Sequence, residues 1–390
     1  MEKLIPQIRF PEFRGEWENK KLGNVAEFTS SKRVYLTDYV NEGIPFYRGK
    51  EISELKLGIT PNDILFISEH SYEMFKKKYG VPRINDLLIT AVGTLGNVLR
   101  IKDNSRFYFK DGNLIWIRKI NQLSTFLEIG FNVYKLDIEK TSIGSTQRAL
   151  TMVELRKLVF PFPSLPEQTK IATFLTAVDE KLTALKQKKT LLEQYKKGVM
   201  QQIFSQELRF KDDNGNDFPD WEEKKLGELG KFSAGGDLIK LDYEKEKNGK
   251  YIYPIYANGA GEGIYGYATT FQYQSNCVTV SGRGNLGFAN ARKENFNAIV
   301  RLIVIIPKQE VNSKFLEEAI NNVNFAIEST GVPQLTVPQI SAYKIFIPSI
   351  KEQTKIANFL SAIDEKINHC QEQIEKAGIW KKGLLQQMFV

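Results

Sequence analysis

Two stretches of this chain repeat each other at a fixed distance, and that repeat constrains the fold more than any other feature. Pro163-Ser-Leu-Pro-Glu-Gln-Thr-Lys-Ile-Ala-Thr-Phe-Leu-Thr-Ala-Val-Asp-Glu-Lys-Leu182 returns as Pro348-Ser-Ile-Lys-Glu-Gln-Thr-Lys-Ile-Ala-Asn-Phe-Leu-Ser-Ala-Ile-Asp-Glu-Lys-Ile367, with 14 of 20 positions identical at an offset of 185. The register persists to the end: Lys197-Gly198 matches Lys382-Gly383, Gln201-Gln202 matches Gln386-Gln387, and Phe204 matches Phe389. A second element opens each half. Trp17-Glu-Asn-Lys-Lys-Leu-Gly23 returns as Trp221-Glu-Glu-Lys-Lys-Leu-Gly227, with Phe28 matching Phe232, at an offset of 204. The second half is therefore about 19 residues shorter between opener and repeat. Between those anchors, over 30–145 and 233–330, likeness nearly vanishes. One frame is kept twice around unlike contents.

The repeated segments read as long helices with a shared seam. Ile171, Leu175, Val178, Leu182, Leu185, Lys189, Leu192, Lys196, Val199 and Ile203 alternate spacings of four and three, as do Ile356, Leu360, Ile363, Ile367, Cys370, Ile374, Ala377, Lys381, Leu384 and Met388. That is a heptad stripe interrupted by three lysines. Pro166 stands where its missing N–H costs nothing, and Glu167 suits the positive end of a helix. A helix from Glu167 to Phe204 would run roughly 57 Å. Matched seams favour packing against each other over packing separately. Antiparallel packing would give the two halves a pseudo-two-fold relation.

The expected fold class is α+β: two α/β domains with mostly β cores, separated by two long antiparallel helices forming a coiled coil. The expected boundaries are an opener and first variable domain over 1–145 and a first long-helix region over 146–204. An exposed polar linker over 205–218, an opener and second variable domain over 219–330, and a second helix region over 331–390 follow. Strand-like runs such as Leu114-Ile-Trp-Ile117 and Ile299-Val-Arg-Leu-Ile-Val-Ile-Ile306 fill the variable regions. Ile44-Pro-Phe-Tyr47 against Tyr253-Pro-Ile-Tyr256, and Leu95-Gly96 against Leu286-Gly287, point to one basic fold used twice.

Composition excludes several functions. Two cysteines, Cys277 and Cys370, and two histidines, His70 and His369, cannot build a disulfide framework or a Cys/His zinc site. No metal site and no cofactor are expected. The N-terminal stretch lacks an apolar core of signal-peptide type, and the longest apolar run is too short to span a bilayer, so a cytoplasmic protein is expected. The formal charge of +8 leans toward a polyanionic partner. It is diffuse: 17 basic against 13 acidic residues over 30–145, and 10 against 10 over 233–330.

Two catalytic signatures dissolve on inspection. Gly261-Glu-Gly-Ile-Tyr-Gly266 and Gly282-Arg-Gly-Asn-Leu-Gly287 fit G-x-G-x-x-G, but neither leads into a helix-periodic segment. Turns between strands explain them better. Asp220 to Lys224 imitates a metal-dependent nuclease motif, yet its carboxylates are nearly consecutive instead of lying on separate strands. Walker A and Pro-Pro sequences are absent. No catalytic residue is assigned. The candidate DNA contacts are Arg48, Lys50, Lys76 and Arg83 in the first half, and Asn258, Arg283, Asn285 and Arg292 in the second.

The openers Phe10-Pro-Glu-Phe…Trp17 to Gly23 and Phe218-Pro-Asp-Trp to Gly227 resemble those of type I restriction-modification specificity subunits. So do the helix entries Phe162-Pro-Ser-Leu-Pro-Glu-Gln-Thr-Lys and Ile347-Pro-Ser-Ile-Lys-Glu-Gln-Thr-Lys. The likeness covers nearly the whole chain. It implies two target-recognition domains, each reading one half of a split asymmetric site in double-stranded DNA. It further implies a coiled-coil spacer that fixes the gap, two modification subunits that methylate adenine, and restriction/translocase subunits that cut. The alternatives are an orphan copy serving methylation only, or a stand-alone methyltransferase or nuclease, against which the missing motifs weigh.

Overall fold

Each opener becomes the same small structure. Glu18–Lys21 forms a strand antiparallel to Val159–Phe162, and the chain turns at once into the helical turn Leu22–Val25. Glu222–Lys225 pairs likewise with Lys344–Ile347 and runs into Leu226–Leu229. Such charged sequences are weak strand formers, so flanking apolar residues must set the register. Trp17 and Leu22, and Trp221 and Leu226, are all buried. The glycine closing each opener is steric: a Cβ on Gly23 would lie 3.2 Å from Arg156 Cβ, and one on Gly227 would lie 3.1 Å from Ser341 Cβ. Any side chain would push the helical turn off its neighbour.

The computed structural model describes residues 4–144, 148–257, 263–325 and 333–390. They form two compact units, Met1–Ala184 with Ile374–Val390, and Leu185–Gln373. Each unit holds a four-stranded antiparallel sheet with the same strand order. In the first, Glu27–Thr29, Leu114–Arg118, Leu87–Thr90 and Val98–Arg100 lie side by side. In the second the series is Gly230–Ala234, Ile303–Pro307, Val278–Val280 and Ala289–Ala291. A smaller sheet accompanies each. Ile44–Tyr47 runs parallel to Tyr108–Phe109, and Tyr253–Tyr256 runs parallel to Asn297–Ala298. The Pro-containing runs matched in the sequence are therefore the same strand in both units. Between that strand and the main sheet the first unit has the helices Gly49–Lys56 and Glu69–Tyr79 around the strand Leu65–Ile67, where the described residues of the second show the strand Ile264–Ala268 and no helix. Those helices account for most of the length difference.

The long helices, Leu165–Phe204 and Ile350–Gln387, each begin in one unit and end in the other. All ten seam positions on each are buried or half-buried, including Ile171, Leu175, Val178 and Leu182, and Ile356, Leu360, Ile363 and Ile367. Within the first unit the start of one helix packs against the end of the other, with Ile171, Leu175 and Val178 in one core with Leu384 and Met388. The second unit repeats this with Val199 and Ile203 beside Ile356, Leu360 and Ile363. The pairing is antiparallel. Two lysines that interrupt the stripe explain themselves: Lys381 pairs with Asp179, and Lys196 with Asp364 at 2.7 Å, at equivalent positions of the repeat. A lysine stem lies along the seam and its ammonium meets a carboxylate of the facing helix.

The repeated Glu-Gln at each helix start ties the unit together. Glu167 and Glu352 are essentially unexposed. Arg9 grips Glu167 through Nε and Nη2 at 2.7 and 2.8 Å, while Trp17 Nε1 donates to it at 3.3 Å. Arg209 and Trp221 do the same for Glu352, at 3.1, 2.9 and 3.2 Å. The adjacent glutamine amide bridges elements. Gln168 accepts from Leu123 N and donates to Pro163 O, and Gln353 accepts from Asn312 N and donates to Pro348 O. Beside each Trp sits an aromatic pair: Phe126 and Phe389 in the first unit, Phe315 and Phe204 in the second.

This corrects the expected linker. Residues 205–218 are not merely an exposed connection, because Arg209 holds Glu352 and Phe210 stacks edge-on against Phe359 at 5.5 Å. Arg9 and Phe10 make the same two contacts in the first unit, with Phe174 as the ring partner. The second opener thus begins near Leu208. Arg209→Ala should strip Glu352 of its counter-ion and destabilise the unit by about 3 kcal/mol. The double variant Arg209→Met/Glu352→Gln, which buries no lone charge, should recover most of that loss. Urea unfolding measures both, and equal midpoints for Arg209→Ala and the native chain would contradict the latch.

Candidate nucleic-acid interface

In the second unit the main sheet has two unlike ends. At one end the strands enter the frame, where Lys308 N donates to Leu229 O at 2.9 Å and Gln353 Nε2 donates to Glu310 O at 3.1 Å. At the other end Ala234, Ile303, Val280 and Ala289 stand in one hydrogen-bonded row. Every turn leaving that row therefore opens on the same rim. The turns are Gly235-Gly236, the hairpin loop 281–288 and the loop 299–302. Gln334-Leu335 joins them, since Leu335 N donates to Gly282 O at 2.9 Å. The rim carries Arg283, Asn285 and Arg301, all exposed, with Gln334 half-buried. Arg283 Nη2 donates to Gln334 Oε1 at 3.2 Å.

The first unit is built alike. Its hairpin loop 91–97 is closed by Gly96 N to Thr90 O at 2.9 Å, as the other is by Gly287 N to Ser281 O at 2.8 Å. Gly93 and Gly96, and Gly284 and Gly287, all take positive φ between 70° and 81°. Gly282-Arg-Gly-Asn-Leu-Gly287 is thus a hairpin that returns into the strand Ala289–Ala291, with the glycines supplying left-handed backbone. Of the first glycine motif, Gly261 and Glu262 lie outside the described residues.

The sequence candidates scatter. Arg283 and Asn285 come together on the second rim, and Asn258 lies outside the described residues. Arg292 is a correction. It is buried, its guanidinium 3.6 Å from the centre of the Tyr256 ring and its Nε donating to Thr279 Oγ1 at 2.8 Å. Burial lowers the Arg292 pKa, and burial also pushes the Tyr256 phenol up to about 12. Arg292 holds the sheet together instead of facing a ligand. Arg48 caps the helix Gly49–Lys56, with its own N–H 2.6 Å from the buried Glu51 and its guanidinium on the same carboxylate. Lys50 is exposed, 3.8 Å from Glu54 and Asp63. Gly49 lies 3.7 Å from Thr90 by its missing Cβ, which puts this helix start beside the first rim. Lys76 sits on Glu69–Tyr79 with Glu73 at 3.2 Å, and Arg83 lies exposed in a loop. Arg301 and Gln334 share this rim without standing among the sequence candidates. The turn Val300-Arg301 hid inside an apolar run that reads as one strand.

Among the described residues no three His, Cys, Asp or Glu side chains gather as a metal site would require. Asp220 stands exposed near Arg209 at 3.6 Å, and Glu222 is spent on Lys224 at 2.8 Å, so the nuclease-like run is an opener strand. Among the described residues no helix is long and apolar enough to cross a membrane.

The two hairpin glycines make separable predictions. A Cβ on Gly287 would fall 2.3 Å from the Phe325 ring, whereas one on Gly284 meets nothing within 4 Å. Gly284→Ala should cost only the left-handed backbone term, about 1 kcal/mol. Gly287→Ala should cost clearly more, roughly 2–4 kcal/mol, because Phe325 must also move. Thermal or urea unfolding ranks the two, and a reversed order would contradict this packing.

The family described as type I restriction modification DNA specificity domain matches residues 14–194 and 219–376. The two matches fall on the two openers and the domains behind them. A Mycoplasma pneumoniae protein named as a type I specificity subunit is 34% identical over 241 residues, covering 60% of this chain and 72% of that one. The MjaVIII type I restriction enzyme specificity subunit of Methanocaldococcus jannaschii is 22% identical, covering 96% of this chain and 92% of the relative. The crystal structure of the S subunit of a type I restriction-modification system from M. genitalium covers 99% of both chains with a TM-score of 0.67. Its 16% identity makes that a likeness of fold. With its two matched copies of opener, domain and long helix, this chain belongs to the type I restriction-modification DNA specificity family.

Proposed function

We propose that this chain is the sequence-choosing subunit of a type I restriction-modification complex, reading a bipartite, asymmetric double-stranded DNA target. The observation that carries the reading is the contrast within each unit. The frame end is the same in both copies down to individual hydrogen bonds, while the rim end differs in its side chains. Two readers on one frame call for two unlike half-sites. Paired frames also give a partner two equivalent places to bind, which fits two modification subunits. Adenine methylation belongs to those subunits, and cleavage to restriction/translocase subunits where they join. An orphan copy serving methylation alone would use the same residues.

The purified chain should neither methylate nor cut DNA, and should confer sequence-specific adenine methylation on its modification subunit. Replacing residues 233–330 with the equivalent region of a relative should change one half-site and leave the other unchanged. Methylation by the chain alone, or changes in both halves, would overturn the reading. Methylome sequencing reports both outcomes.

The helices that pass from one unit into the other are proposed to fix the unread gap. Inserting one heptad after Ala184 and one after Lys376 adds about 10.5 Å to each helix, close to three base pairs. The preferred gap should lengthen by about that much while both half-sites keep their bases. A methylation library varying only the gap is the measurement, and full activity at the original gap would remove the helices from this role.

A further inference from the structure

We propose that Arg301 is a base-reading residue of the second unit, working with Arg283, Asn285 and Gln334 on the rim described above. This deepens the proposed DNA-reading role and rests on it.

The backbone is the first reason. Leu302 N donates to Ile299 O at 3.1 Å, closing a turn whose two central residues, Val300 and Arg301, have φ of 52° and 57°. Both are left-handed, as in a type I′ turn, where Asn-Gly or Gly-Gly is the usual pair. A β-branched valine there is a genuine outlier. The corresponding turn of the first unit, 110–113, uses Gly112 at φ 72°. The second unit has a strained pair where the fold accepts glycine. The turn is pinned in place: Val300 N donates to Gly236 O at 2.9 Å, and Arg301 N to Gly235 O at 3.0 Å. Gly235 permits this approach, since a Cβ there would lie 2.7 Å from Ala298. The arrangement sets an arginine on a fixed stalk.

The side chains are the second reason. Arg301 is exposed and forms no ion pair among the described residues, unlike Arg48, Arg100, Arg106 and Arg118 of the first unit. Its neighbours are the other chemical types that read base edges: Arg for guanine O6/N7, and Asn or Gln for adenine N6/N7. Where the second rim has Arg283, Asn285 and Gln334, the first has Val92, Thr94 and Ala149 at equivalent places in the same hydrogen-bonded frame. Glu294 is the acidic residue nearest in sequence to the turn, and it accepts from the Tyr256 hydroxyl at 2.8 Å. A surface that gathers two arginines and two amides over close-packed glycine backbone suits a major-groove half-site containing guanine. Bulk attraction to phosphate would want a basic patch, and the second variable region has no net charge.

Strain makes the test clean. Arg301→Gly removes the guanidinium and also relieves the left-handed backbone, so folding should be kept or improved, read as an unchanged or raised melting temperature. The full-length variant, assembled with its modification subunit, is then assayed on a duplex library with both half-sites randomised. Discrimination should fall about 10- to 100-fold at one guanine of one half-site, with the other half-site untouched. Arg301→Lys should restore only part of it, since a lysine cannot make the bidentate contact. Retention of the native motif by Arg301→Gly overturns the inference. So does uniform weakening across all sequences with a salt slope smaller by about one, which is the signature of a phosphate contact. The native complex run in parallel separates the two readings: if it shows no split motif, the DNA-reading role itself fails.

Discussion

A buried carboxylate at the start of each long helix is the constraint on which the rest of the structure depends. Glu167 and Glu352 have no water to solvate them, so each must be given its donors by the protein. The donors come from far away in sequence: an arginine and a tryptophan of the opener. The helix N-terminus adds its own positive potential. Satisfying one carboxylate thereby fixes the opener, the two-stranded ribbon behind it and the entry angle of a long helix. Gln168 and Gln353 extend the same logic to the variable domain by accepting from the first residues of the helices that follow the main sheets. An apolar contact would bind as well but would allow sliding. Directional bonds to a buried charge do not.

With the frame held at one end of each sheet, the opposite end is free to vary. Strand ends at the rim are joined by turns, and the two hairpins share their left-handed glycines, while exposed side chains such as Arg283, Asn285 and Arg301 can be exchanged without disturbing a core. That division explains why likeness vanishes between the anchors while strand order is identical. It also explains the glycines. Gly93 and Gly284, and Gly96 and Gly287, recur because left-handed backbone is part of the scaffold, and Leu95 and Leu286 recur because they pack on the cores, while Val92 and Thr94 stand where the second unit has Arg283 and Asn285.

What the sequence made legible follows the same line. The heptad seam, the antiparallel helices and the fold used twice could be read because burial and periodicity leave a pattern that survives without alignment. The latch was visible only in part: Glu-Gln stood out as repeated, but Arg9 and Arg209 carry little local signal and the second was hidden in a polar stretch that looks like a linker. Arg292 misled because an arginine directly after a glycine hairpin's returning strand gives no sign that its guanidinium lies over Tyr256. The capping role of Arg48 is hidden for a related reason, since an interaction with Glu51 three residues on resembles an ordinary exposed pair. Arg301 could not be read because Ile299 to Ile306 is apolar enough to be one strand; only the structure reveals the turn.

The two lysines inside the seam complete the argument about specificity of pairing. An uninterrupted apolar stripe would let two long helices slip by a heptad at small cost. Lys196 against Asp364 and Lys381 against Asp179 match in one register only. In the second unit the pair is elaborated: Lys196 also reaches the buried Glu318 at 2.9 Å, and Lys314 bridges Glu318 and Asp364. Burial lowers the Lys314 pKa, but the Glu317 and Glu318 carboxylates beside it outweigh burial and raise it, so that ammonium stays charged across the physiological range. Such a cluster adds little net stability compared with leucines of the same volume, but it penalises every slipped alignment by leaving charges buried without partners. In the first unit the equivalent pair, Lys381 with Asp179, is more exposed and contributes direction more than energy. The helices are therefore fixed at two separate levels by one repeated pair of side chains, which is what a frame must provide if the residues on its rims are to change while their positions do not.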